Sequence, residues 1–160
     1  MTSQILRDAR KYEMEMERKI AGEHRPVFHL SSRVGWMNDP NGFSFYKGEY
    51  HMFYQYHPYS PFWGPMHWGH AVSRDLLHWE HLPAALAPDM EYDRDGCFSG
   101  SAVVLPDGRH LLMYTGVSKE VQPDGSTKEV QTQCLAVGDG MDYEKYVGNP
   151  VLDKAALPEG

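Results

Sequence analysis

The sequence has few cysteines, no long apolar run and no cluster of positive charge. Its 160 residues include two cysteines, Cys97 and Cys134, and neither has the spacing of a disulfide framework or a metal site, so we expect reduced strand residues. No stretch approaches the roughly 18 apolar residues of a membrane-spanning helix. The formal net charge is −7 and there is no run of Lys or Arg, which argues against nucleic acid or an anionic membrane as partner. A small neutral ligand fits these absences better.

The N-terminal 26 residues also lack the apolar core of a signal peptide, and they are dense in charge. We therefore expect a cytoplasmic protein. Within them an apolar stripe at spacings of three and four predicts a short amphipathic helix that Pro26 ends, with Glu15 and Lys19 paired outside it. We assign residues 1–25 to a helical extension and residues 26–160 to the main domain. The stripe consists of Leu6, Ala9, Tyr12, Met16 and Ile20.

After residue 27, short strands alternate with tight turns, and the pattern occurs twice. In the first copy "GFSFY" and "EYHMFYQY" flank a Lys47-Gly48 turn, and "HWGHAVS" and "LHWEHL" follow. In the second, "GSAVVL" and "RHLLMYTG" flank a turn at Asp107-Gly108, and "VQTQCLAVG" and "YEKYV" follow. The overlay matches Gly42 to Gly100, "MFYQY" to "LMYTG", "HAVSRD" to "LAVGDG", and "WE" at 79–80 to "YE" at 143–144.

A repeat of about 60 residues with four antiparallel strands is typical of β-propeller blades. A β-sandwich ranks second, because it would not predict the repeat. We therefore expect an all-β fold, the first two blades of a five-bladed β-propeller preceded by a short N-terminal α-helix. Propellers need about four to eight blades, so we expect a truncated chain.

The stretch "WMNDPNG" at residues 36–42 opens the first copy. By itself it is also a good turn sequence, since Asn and Asp cap their own backbone and Pro restricts φ. Asp39, however, is expected at the start of an inner strand, where a carboxylate flanked by the amides of Asn38 and Asn41 suits attack on a sugar centre. "CFSGS" opens the second copy and places Phe98 and Ser99 where the first has Asn38 and Asp39.

The segments "WMNDPNG", "FYQYHP", "WGPMHWGHAVSRDLLHW" and "DGCFSGS", in this order, resemble glycoside hydrolase family 32, the invertases, fructanases and sucrose-6-phosphate hydrolases. The resemblance implies hydrolysis of terminal β-D-fructofuranosyl bonds by a retaining double displacement, with Asp39 as the nucleophile. It implies no cofactor and a small carbohydrate substrate, either sucrose, sucrose 6-phosphate or a short fructan. The residues that would line the substrate pocket are Trp36, Met37, Asn38, Gln55, Trp63, Phe98 and Ser99.

Two acidic motifs of the family are absent from this sequence. They are the Arg-Asp-Pro that holds the fructosyl hydroxyls and the Glu-Cys whose Glu is the general acid. We therefore expect the 160-residue chain alone to be inactive and the complete protein to be the enzyme.

Several other interpretations compete with this one. The pairs His67/His70 and His78/His81 suggest a metal, but a spacing of three in a strand points side chains to opposite faces, so we expect no metal site. "EYDRDG" is similar to a calcium loop, yet its twelfth position is Ala102 instead of a Glu, so Asp93 and Asp95 are expected to shape a turn. A related inverting arabinan- or xylan-type propeller hydrolase and an inactive sugar-binding or structural fragment remain the functional alternatives. The oligomeric state stays open.

Overall fold

The computed structural model describes residues 2–20, 22, 25–153 and 156. Within these residues there are one α-helix of at least two turns and eight β-strands. They are α1 (Gln4–Glu17), β1 (Trp36–Tyr46), β2 (Glu49–His57), β3 (His67–Ser73), β4 (Glu80–Leu86), β5 (Gly96–Val104), β6 (His110–Val121), β7 (Thr127–Gly138) and β8 (Tyr143–Lys145). None of the described helices is long and apolar enough to span a membrane.

The strands form two antiparallel sheets of four strands, each a simple meander. Blade 1 has the order β1-β2-β3-β4 and blade 2 the order β5-β6-β7-β8. Tight turns with positive φ at Gly48 and Gly108 join the first two strands of each blade, as the turn sequences predict. The all-β fold with two blade-like sheets and an N-terminal helix is thereby confirmed.

Strand register confirms three of the four matches of the repeat. Gln55 and Thr115 occupy equivalent places in β2 and β6, and the β3/β7 and β4/β8 matches have the same pairing. The match of Gly42 to Gly100 is wrong by two residues, because Tyr54 pairs with Pro40 and its equivalent Tyr114 pairs with Gly100. β1 also has a second register shift, between Asn41 and Ser44, that β5 lacks.

The helix is shorter than predicted. Ser3 caps its N-terminus by accepting the Leu6 amide at 3.1 Å, and it ends at Glu17, where the Arg18 amide turns back to the Met16 carbonyl. Lys19 therefore lies outside the helix, and Glu15 lies 3.8 Å from Lys11 instead of pairing with Lys19. The helix end at Pro26 was thus wrong, while the boundary between residues 25 and 26 stays a prediction.

The apolar side of α1 packs on one face of blade 1. Leu6 of the helix joins a buried cluster with Val34 and with strand residues Tyr54, Tyr56, Ala71 and Ala84. The opposite face of blade 1 packs against blade 2, and the cluster between the blades contains Phe53, Trp68, Ala85, Leu86, Cys97, Leu112, Tyr114, Cys134, Ala136 and Tyr143. Both cysteines are free and buried in it, as expected from the sequence. The boundary between the blades is therefore a continuous core.

Candidate active site

Two β-bulges bring the beginnings of β1 and β5 together. In β1, Met37 pairs with Tyr56 and Pro40 with Tyr54, so Asn38 and Asp39 share the place opposite Gln55. Pro40 has no amide proton for a regular ladder, which favours the irregularity. In β5, Phe98 pairs with Thr115 and Gly100 with Tyr114, which leaves Ser99 as the extra residue. Bulges redirect side chains, and they are common beside active sites.

Asp39 and Ser99 are in contact across the boundary between the blades. Both are exposed, and Ser99 Oγ donates a hydrogen bond to Asp39 Oδ2 at 3.2 Å. Within the described part of the chain, no other partner of this carboxylate is recorded. The structure therefore brings together two residues predicted from motifs 60 positions apart, and the carboxylate keeps one oxygen free to react.

Gln55 lies directly behind the bulge of β1. It is only 3% exposed, and its Nε2 donates to the Cys97 carbonyl at 3.0 Å. The sequence suggested that this amide faces a substrate hydroxyl, and that assignment stays a prediction. In this structure the Gln55 amide group is hydrogen-bonded to β5 of blade 2.

Asn41 differs from the expectation that its amide flanks Asp39. The side chain is only 3% exposed, and its Oδ1 accepts the backbone amide of Gly100 at 3.2 Å. Trp68, which the sequence did not single out, donates from Nε1 to the Phe98 carbonyl at 3.1 Å. These contacts join residues about 60 and 30 positions apart, and periodicity in a single sequence carries no signal for them.

Trp63 and Phe98 form an aromatic wall near Ser99. Their ring centroids are 6.2 Å apart with planes at 84°, an edge-to-face arrangement, and Trp63 is 56% exposed. The loop that carries Trp63 is held to the end of β2, since His57 Nδ1 lies 2.9 Å from the Phe62 carbonyl. A Cβ at Gly64 would lie 2.3 Å from the His57 ring, so a larger residue there would displace His57. Exposed aromatic faces of this kind suit sugar rings.

The remaining predicted pocket residues lie on the first part of β1. Asn38 is exposed, and Trp36 is half-buried. Met37 is also half-buried, but it packs against the cluster of Leu6 and Tyr54 on the helix side of blade 1. Their contact with substrate stays a prediction.

The alternative metal sites find no geometric support. Among the described residues, no three His, Cys, Asp or Glu side chains are arranged to hold a metal ion. His67 is buried beside the Pro65 carbonyl, and burial lowers its pKa to about 4. Asp93 does shape a turn, because its Oδ1 accepts the Met90 amide at 2.9 Å. Its Oδ2 also meets Lys145 at 2.5 Å in a buried ion pair that the sequence did not reveal.

Comparison with known proteins identifies the family. Residues 29–159 match Glycosyl hydrolases family 32 N-terminal domain. The chain belongs to this family. The match covers both blades and therefore every residue of the candidate site.

Individual relatives agree with this assignment. A sucrose-6-phosphate hydrolase of Zymomonas mobilis is 52% identical over 145 residues, which are 89% of this chain and 27% of that protein. A raffinose invertase of Escherichia coli is 54% identical over 75% of the chain and 25% of its own length. A mutant Bombyx mori GH32 beta-fructofuranosidase, solved in complex with sucrose, superposes with a TM-score of 0.85 at 44% identity, covering 99% of this chain and 32% of that one. The family-32 chain thus spans about a quarter to a third of the length of these relatives.

Proposed function

We propose that the complete protein, of which this chain supplies the first two blades, hydrolyses terminal β-D-fructofuranosyl bonds with Asp39 as the nucleophile. The observation that carries the proposal is the position of Asp39, exposed on a bulge with one carboxylate oxygen held by Ser99. The names of the relatives support the substrate class, since they act on sucrose 6-phosphate or are invertases.

In this mechanism the free oxygen of Asp39 attacks the anomeric carbon, and the bond from that carbon to the leaving oxygen breaks. A general acid from the part of the protein outside this chain protonates the leaving oxygen, and the same group then activates water to hydrolyse the fructosyl ester. The bond from Ser99 leaves the attacking oxygen unobstructed. The wall of Trp63 and Phe98 supplies an apolar face for the sugar.

The test uses the complete protein and sucrose. Asp39→Asn keeps the shape of the side chain but removes the nucleophile, so kcat should fall by several orders of magnitude while KM changes little. Mass spectrometry of the wild-type enzyme, quenched during turnover, should find a hexosyl adduct on the peptide containing Asp39. Near-normal turnover of Asp39→Asn would overturn the assignment.

The choice between sucrose, sucrose 6-phosphate and fructan belongs to the same proposal. We favour sucrose or its 6-phosphate, because the bacterial relatives bear those names or that of an invertase. Comparing kcat/KM for the three substrates decides the question. A preference for fructan of tenfold or more would contradict our choice.

The 160-residue chain alone is proposed to bind sugar at most. An alkoxide leaving group without a proton donor loses a rate factor of about 10²–10⁴, and two blades leave sheet faces and edges uncovered. Glucose and fructose release by the purified chain, with light scattering in parallel, tests this. Turnover equal to that of the complete enzyme would show that an acid within this chain suffices.

The cytoplasmic location expected from the sequence also stays a prediction, and cell fractionation would test it.

A further inference from the structure

Side chains hold the bulged backbone of β5 at four consecutive residues. The carbonyl of Cys97 accepts Gln55 Nε2 at 3.0 Å, and the carbonyl of Phe98 accepts Trp68 Nε1 at 3.1 Å. The carbonyl of Ser99 accepts Thr115 Oγ1 at 3.2 Å, and the amide of Gly100 donates to Asn41 Oδ1 at 3.2 Å. A bulge interrupts the regular ladder, so these bonds replace ladder bonds in fixing where Ser99 lies.

Three of these four side chains come from blade 1 and are buried. Asn41 and Gln55 are each 3% exposed, and Trp68 is fully buried. They belong to three adjacent strands, β1, β2 and β3, so their relative positions are set by the sheet. Since Asp39 is also on β1, one rigid sheet carries both the carboxylate and the groups that hold its partner.

The packing next to Trp68 requires the glycine of the first motif. Gly42 has φ +53°, and a Cβ there would lie 3.4 Å from Trp68 Cζ3 and 2.8 Å from the Phe53 ring. A side chain at this position would collide with the Phe53 ring and crowd Ala102, which lie beside Trp68. The motif at residues 36–42 therefore contributes both the exposed Asp39 and the packing of the core beneath it.

The two polar atoms of the Asn41 side chain differ in their partners. Its Nδ2 is buried without a hydrogen-bond partner among the described residues, while Oδ1 is bonded to Gly100. The acceptor Oδ1 is therefore the atom through which this side chain contacts β5. Orientation of Gly100, and with it Ser99, is the contribution that the geometry shows.

We propose that Asn41, Gln55 and Trp68 form a positioning clamp that holds the Ser99 bulge so that Ser99 can orient the Asp39 carboxylate. The clamp rests on the proposed function, because it acts through Asp39. A shift of about 1 Å in the backbone of β5 would break the bond from Ser99, and misplacement of that size costs up to about 100-fold in rate. Ser99 contacts the reacting group directly, whereas Asn41 and Trp68 act through the backbone that carries it, and Gln55 does so through its Nε2 bond to Cys97.

The test is a double-mutant cycle in the complete protein with sucrose. Asn41→Leu removes the acceptor at nearly constant volume, Ser99→Ala removes the donor to Asp39, and the two are combined. Each single variant should lower kcat about 10- to 100-fold with KM changed little. The double variant should be no slower than Ser99→Ala, because the effect of Asn41 passes through Ser99.

Asn149→Leu is the matched control, since the side chain of Asn149, which follows β8, also bonds backbone, at Leu135 of β7. It should lower the melting temperature but leave kcat unchanged. If Asn41→Leu fails to fold, Trp68→Phe takes its place, because it removes only the Nε1 donor and part of the ring. Its cycle with Ser99→Ala should be equally non-additive.

Losses that multiply in the double variant, or an unchanged kcat in Ser99→Ala, would overturn the clamp. Asp39→Asn is measured in the same series. Near-normal turnover of Asp39→Asn would mean that the proposed function has failed, whereas an inactive Asp39→Asn with multiplying losses would reject the clamp alone.

Discussion

Lys145 Nζ lies 2.5 Å from Oδ2 of Asp93, and this contact joins the last strand of blade 2 to the segment between the blades. Lys145 also meets Asp89 Oδ1 at 2.5 Å and the Ala87 carbonyl at 2.7 Å. The side chains of Lys145, Asp89 and Asp93 are 12%, 9% and 0% exposed. Tyr114 donates a further bond to Asp93 at 2.7 Å. One cation is thus shared by two buried carboxylates.

Lys145→Met should therefore destabilise the protein strongly. It leaves two carboxylates buried without a cation, a change that costs about 3–5 kcal/mol. Arg94→Met is the matched control, because the ion pair of Arg94 with Glu91 is in the same segment but exposed, and such pairs contribute at most about 1 kcal/mol. Thermal unfolding of both variants measures the difference. Equal losses of stability in the two variants would show that the buried ion pair contributes no more than the exposed one.

Glu13 is expected to make stability depend on pH. It is 1% exposed, its Oε1 accepts the Ala84 amide at 3.0 Å, and burial raises its pKa to about 7 against the lowering effects of that amide and of Arg33. Because the unfolded pKa is near 4.5, this group favours the folded state below about pH 4.5, and its contribution is lost as the pH rises to 7.

Glu13→Gln keeps the acceptor and cannot ionise, so it should gain stability relative to wild type as the pH rises from 5 to 8. The shift of the pKa corresponds to roughly 3 kcal/mol over that range. Melting temperatures of both proteins between pH 5 and pH 8 give the measurement, with exposed Glu15→Gln as the control. A constant difference between Glu13→Gln and wild type would refute the raised pKa.

The histidines between the blades should act in the opposite direction. His70 is fully buried, with Nε2 2.9 Å from His51 Nδ1, and burial together with nearby His51 and His110 holds its pKa well below the usual value. In the unfolded chain His70 takes up a proton near pH 6.5, whereas in the folded chain it stays neutral at that pH. The stability that neutral His70 provides is therefore complete above that pH and is lost as the pH falls below it.

His70→Phe should accordingly be less stable than wild type at pH 7, since the bond to His51 is lost. The difference in the free energy of unfolding should narrow toward pH 5, with a slope of up to about 1.4 kcal/mol per pH unit. Only the wild-type protein loses stability from protonation of His70 as the pH falls. Comparison at equal pH cancels the titration of Glu13. A difference that stays constant or widens on acidification would contradict the lowered pKa.

Trp63 is expected to contribute to substrate binding through its ring. Trp63→Ala in the complete enzyme should lower kcat/KM for sucrose by an amount equivalent to about 1–3 kcal/mol of transition-state stabilisation. Trp63→Phe should retain most of kcat/KM, because an aromatic face remains next to Phe98. Phe45→Ala is the control, because Phe45 is an equally exposed aromatic residue of β1 (58%) at the other end of the strand. Equal effects of Trp63→Ala and Phe45→Ala would remove Trp63 from the site.

Much of the fold and of the candidate site follows from local patterns in the sequence. Alternating apolar residues and turn glycines predict the strands and their order, and the repeat predicts two equivalent sheets. The motifs that open the two copies also put Ser99 in the place of Asp39, and the strand register agrees. These features can be predicted because they depend on residues close together in the chain.

The tertiary structure alone decided what lies behind the site. The register of β1 places Pro40, and not Gly42, where β5 has Gly100, and the bond from Gly100 to Asn41 joins strands of different blades. Glu13 became a buried acceptor because α1 packs across β4 where the Ala84 amide is free of the ladder. A sequence shows which face of an element is apolar, but the partner of a buried polar atom depends on which faces meet and at what register. Burial then shifts the pKa values and strengthens the hydrogen bonds, so both arise only when the blades pack together.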